Sequence, residues 1–137
     1  MKKIIVSGLV AGIILFVVSY GGLYLAVRFL PQLFIDAYAN NPLINSDGIK
    51  DILFFSHAFV ISFALSWFWD RFKSLLKGNF VLRVIEFSSI YALVGLLPIM
   101  WITYSAMDVT IAMVFSWLLY GFFQATVAGI VFAKMNP

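Results

Sequence analysis

Four long apolar runs, at residues 4–27, 52–69, 84–105 and 109–132, constrain this chain more than any other feature. Each holds about 18 to 24 residues, and about 20 residues of helix cross the hydrocarbon core of a bilayer. The runs are continuous and do not alternate, so they do not read as strands of a membrane β-barrel, which would be about ten residues long with a polar residue at every second position. The expected fold is therefore all-α, a four-helix transmembrane bundle in up-down topology. With 64% hydrophobic and 11% charged residues among 137, and connections too short for a soluble module, residues 1–137 form one integral membrane domain.

The charges point to an orientation. Lys2, Lys3, Arg71, Lys73, Lys77, Arg83 and Lys134 flank the runs on one side of the bundle, and only Arg28 and Lys50 flank them on the other. Lys and Arg are retained in the cytoplasm, which predicts both termini inside and a multi-pass protein of the inner, cytoplasmic membrane. The net charge of +3 then reports topology, and no nucleic-acid partner is expected. The first run follows Met1-Lys2-Lys3 and continues through Tyr20, Leu23 and Tyr24 without a small-residue cleavage site. It reads as a retained helix and not as a signal peptide. An outer loop at 31–50 carries Leu33, Phe34, Ile35 and Tyr38 before Asn40-Asn41-Pro42, a pattern suited to a short helix lying along the membrane surface. Asp108, in the brief turn between the third and fourth runs, is suited to capping the fourth helix.

Small residues mark two faces for close helix approach. Gly8, Gly12, Ser19, Gly22 and Ala26 line the first helix, and Gly121, Ala125, Ala128 and Gly129 line the fourth. Without a hydrophobic drive between helices in lipid, such ridges are where backbones meet. They predict packing within the chain, against a second copy, or against a membrane partner. Pro98 interrupts the third run and deprives the Val94 carbonyl of its usual N–H partner, which predicts a kink there. Trp67, Trp69, Arg71 and Lys73 combine indoles with cations at the inner boundary, as interfacial anchors among membrane lipids do.

Polar groups inside the runs are the candidates for chemistry. His57 is the only histidine and lies five residues beyond the start of the second run, where a hydrogen-bonded structural role and a proton-relay or ligand role compete. Glu86 lies one helical turn after Arg83, which predicts an ion pair at the inner interface. Tyr104, Tyr120 and Gln124 could extend a polar path from His57. Cysteine is absent, so thiolate metal sites, iron–sulfur clusters and disulfides are excluded. A lone histidine supplies neither a zinc triad nor bis-histidine haem, so no metal and no cofactor is expected. No phosphate loop, HExxH or nucleophile elbow occurs, which argues against an enzyme. A small multidrug transporter would carry a glutamate in its first helix, and residues 4–27 hold no charge at all.

These observations predict a small non-enzymatic inner-membrane protein acting as a homo-oligomer or as a subunit of a membrane complex. A small transporter or channel with a polar path near His57 is the alternative. A lipid- or quinone-binding membrane enzyme is the third reading.

Overall fold

The structure is a computed structural model and describes residues 1–29 and 48–137. The surface helix expected within the outer loop at 31–50 falls outside the described residues. Those described are helical, without strands, and give four helices long and apolar enough to cross a membrane. This is the pattern of a multi-pass membrane protein. In lipid every backbone N–H and C=O must find its partner within the segment, and a continuous apolar run meets that demand as a helix.

Helix α1 spans Lys2–Phe29 and α2 spans Gly48–Phe72. Helix α3 runs through Phe80–Ala106, and α4 spans Ile111–Met135. Three extend beyond both ends of their apolar runs and α4 beyond its C-terminal end only, because polar and charged end turns also take helical geometry. Between α2 and α3, Gly78 has φ +99, a left-handed conformation that glycine adopts without strain. Asn79 then caps α3, its side chain accepting from the Leu82 N–H at 3.0 Å. At the start of α4 the cap is Thr110, whose side chain accepts from the Met113 N–H. Asp108, expected in that role, is exposed in the turn before it, two residues too early for its carboxylate to meet the first free N–H groups.

Pro98 does not break α3. The helix widens to a π-turn at Ala92–Leu96, and the Leu97 N–H donates to the Ala92 carbonyl, five residues back. The wider turn shifts the backbone bonding by one residue just where the proline ring would meet the preceding turn.

Successive helices run antiparallel. Ser7 on α1 lies beside Ser66 on α2, their hydroxyl oxygens 2.8 Å apart, while Phe16 on α1 meets Phe55 farther along, with ring centroids 6.3 Å apart. α4 packs against each of the other three helices. The small-residue ridges are largely consumed by these contacts. A Cβ on Gly8 would lie 2.7 Å from the Phe63 ring, and one on Gly12 would lie 2.6 Å from Phe59 and 2.8 Å from Ser62 Oγ. On α4, Gly121 receives Leu96 and Gly129 receives Phe87 and Val84. The two ridges therefore serve different partners, α1 meeting α2 and α4 meeting α3.

Burial is concentrated toward one end of the helices. The buried residues of α1 lie between Ser7 and Leu15, those of α2 between Ala58 and Trp69, those of α3 between Val84 and Ser88, and those of α4 from Gly121 onward. Most belong to the halves nearest the Lys- and Arg-rich end, with Ala58 and Gly121 just past the midpoints of their helices. Farther from that end than Leu15, Ala58, Ser88 and Gly121, no residue of described burial is buried. Gly22 continues the stripe of Ala11 and Leu15, yet a Cβ there would meet nothing within 4 Å. Among the described residues the bundle is closely packed at its basic end and more loosely packed toward the other.

Candidate functional site

At the closed end an aromatic and polar cluster ties the helices together. Trp69 is fully enclosed, with its ring centroid 5.2 Å from Phe87 and 6.3 Å from Phe132. Its indole Nε1 donates to the main-chain carbonyl of Asn136 at 2.8 Å. This corrects its expected role as a lipid-facing anchor. The indole points into the bundle because Phe87 and Phe132 together provide an apolar slot, and the Asn136 carbonyl satisfies its one donor. Trp67, two residues earlier, stays on the surface, with the Arg71 guanidinium 5.6 Å from its ring centroid. That spacing places the guanidinium within cation–π range of the indole.

Asn136 is the hub of the cluster. Its Nδ2 donates to Asp70 at 2.8 Å, its Oδ1 accepts from Lys73 Nζ at 2.7 Å, and its N–H donates to the Phe132 carbonyl. Lys73 also lies 3.7 Å from Asp70. Every polar group of Asn136 is thereby engaged, which explains how an asparagine can be enclosed here. Arg83 extends the cluster, its guanidinium carbon 5.4 Å from the Trp69 ring centroid and Nη2 donating to the Lys73 carbonyl at 3.3 Å. The expected Arg83–Glu86 pair does not form. Glu86 instead accepts from the Lys77 backbone N–H at 3.2 Å, because Arg83 is drawn onto the Trp69 face.

These contacts make the basic end a latch. Its charged groups are bound to one another and to the backbone, and no nucleophile, paired carboxylate or open ligand set stands among them. Among the described residues no group of three or more His, Cys, Asp or Glu could hold a metal ion.

The remaining candidates lie toward the loosely packed half. His57 is exposed on α2 and has no hydrogen-bond partner among the described residues. Tyr104 and Tyr120 are exposed, one near the far end of α3 and the other midway along α4. Gln124 is the exception, with 3% of its surface exposed. No hydrogen bond joins any two of these four, so the polar path expected from His57 has no continuous form among the described residues. Of the packing residues, Ser19 is half-buried, Gly22 is exposed and Ala125 is fully enclosed.

Two features escaped the sequence. Asn136 follows the last apolar run and reads as tail, with nothing local to mark it as a hub. Ser7, Ser62, Ser66 and Ser88, all enclosed, resemble the exposed serines of the same helices. Comparison with protein-family models, with curated proteins and with solved structures finds no match for this chain.

Proposed function

We propose that this chain is a small, non-enzymatic protein of the inner, cytoplasmic membrane, with both termini in the cytoplasm, which serves as a subunit of a membrane complex. The observation that supports this reading is the uneven burial. The described residues of the four helices are buried mainly along their basic halves, while the other halves meet more loosely, as where Phe16 reaches Phe55, and a membrane-embedded partner seated there would complete the packing. The glycine ridges do not argue for self-association, since Gly8, Gly12, Gly121 and Gly129 are occupied by side chains of the same chain. The orientation rests on the Lys and Arg bias.

Two experiments test this reading. A photo-crosslinking residue at Phe54, Ile102 or Phe115, all exposed in the loosely packed half, should capture a protein in membranes. The same residue at Ile5 or Leu82, exposed in the basic half, should capture lipid only. Lipid adducts alone at all five positions, together with a monomer mass in mild detergent, would remove the subunit role. Cysteines replacing Lys77 and Asp108, both exposed, should be labelled from the inside and the outside respectively, and labelling of both from one side would remove the orientation.

A further inference from the structure

Gln124 stands apart from the other polar side chains of the bundle. It is 3% exposed, and its carboxamide makes no hydrogen bond among the described residues. Ser7, Ser62, Ser66 and Ser88, which share its burial, all make hydrogen bonds. The amide is nevertheless not sealed in. Among the described residues the only side-chain nitrogen or oxygen fully enclosed without a partner is Arg83 Nε, so the polar atoms of Gln124 border accessible space.

Its depth is set by the helix. Gln124 is eleven residues from Met135, the end of α4, which places it about 16 Å above the basic end at 1.5 Å per residue, near the middle of a bilayer. It also sits near the outer limit of close packing, since Gly121, one turn farther out, is the last buried residue of α4. The face of α4 toward α3 is defined by Gly121 against Leu96, by Gly129 against Phe87, and by Thr126 against Ser88. Gln124 is displaced by about a third of a turn from that face, at 100° per residue. A buried amide with both a donor and an acceptor free thus lies at the floor of the loosely packed half.

An unpaired amide in hydrocarbon is costly, and leucine or methionine would fill the same volume without that cost. Intramembrane polar groups held at such a cost are functional by default. We propose that Gln124 is the hydrogen-bonding group of a binding site for a neutral, membrane-soluble molecule carrying a carbonyl or hydroxyl group, which enters from the loosely packed half. The neutrality follows from the surroundings. The nearest charged residue along α4 is Lys134, ten positions away, and an ion at this depth would lack a counter-charge. A ligand carbonyl accepts from Nε2, and a hydroxyl can also donate to Oε1. The site needs only contacts within one chain and is independent of the subunit role.

The test is thermal unfolding of the purified full-length protein in mild detergent, with 2-dodecanone, 1-dodecanol or dodecane added at equal mole fraction. The ketone and the alcohol should raise the midpoint of the wild type by a few degrees relative to dodecane. In Gln124→Leu that advantage should vanish, while the variant itself melts at or above the wild type because an unpaired amide has been removed. Gln124→Met serves if the leucine variant does not fold. Equal effects of all three additives on the wild type, as expected if only water occupies the site, would overturn the proposal. An unchanged ketone or alcohol advantage in the variant would overturn it as well.

Discussion

Alanine substitutions at glycines along the helices probe the uneven packing directly, because the structure assigns them opposite outcomes. In α1 a Cβ at Gly12 would lie 2.6 Å from the Phe59 ring and 2.8 Å from Ser62 Oγ, whereas a Cβ at Gly22 would meet nothing within 4 Å. Overpacking a close contact costs about 1–3 kcal/mol. Replacing a helical glycine by alanine returns about 0.4–1 kcal/mol through helix propensity and the narrower unfolded ensemble. Gly12→Ala should therefore lose about 1–2 kcal/mol net, and Gly22→Ala should be neutral or gain up to about 1 kcal/mol. Phe59 can yield by rotating its ring, which keeps the first figure near its lower end. Ser62 has less freedom, since its hydroxyl donates to the Phe59 carbonyl at 2.9 Å. The assay is equilibrium unfolding of both variants in mixed micelles of mild detergent and sodium dodecyl sulfate, followed by tryptophan fluorescence. Trp69, enclosed among Phe87 and Phe132 in the basic half, reports the loss of packing. If Gly22→Ala costs as much as Gly12→Ala, α1 is closely packed around Gly22 and the description of looser packing there fails.

Two further outcomes follow from the closed end and from His57. Trp69→Phe leaves the Asn136 carbonyl without its donor, costing about 1 kcal/mol, and the lost ring brings the total to about 2–4 kcal/mol; a loss below about 0.5 kcal/mol in the same unfolding assay would show that the indole is not a tie between α2 and the end of α4. His57→Leu should leave stability unchanged or raise it, since the imidazole has no partner among the described residues, and a clear fall in the melting midpoint would reveal one.

What the sequence disclosed and what it hid have distinct physical reasons. The four spans were legible because lipid demands long apolar runs, and their ends differ by a few residues because Asn79 caps α3 from before its run and Thr110 caps α4 from within its run. The inward face of α2 was not legible. Its buried positions, Ala58, Ile61, Leu65 and Trp69, follow helical spacing, but the exposed positions between them are also apolar, so periodicity offers no contrast. The glycines announced close approach without naming the partner, since a ridge reads the same whether another helix of the chain or a second molecule lies against it. Pro98 announced a disturbance, and the π-turn that absorbs it could be seen only in the backbone. Gln124 was visible as a polar residue in an apolar run, but its burial and its lack of a partner depend on how α4 is turned within the bundle.

The same chemistry explains why close packing is concentrated toward one end of the helices. Apolar burial gives helices little reason to associate in lipid, so packing at small residues and hydrogen bonds between helices must hold the bundle. Both are concentrated at the basic end, where Ser66 donates to the Ile4 carbonyl across α1 and α2, Thr126 meets Ser88 across α3 and α4, and Trp69 meets Asn136. In the opposite halves the hydroxyls turn back on their own helices. Ser56 donates to the Leu53 carbonyl, Thr103 to Ile99, Ser105 to Ile102 and Ser116 to Met113. Bonds of this kind satisfy a side chain and add nothing between helices. Among the described residues these hydrogen bonds between helices therefore lie along the basic side, and Gln124 stands near the outer limit of the buried stretch of α4 with an amide to offer to whatever enters.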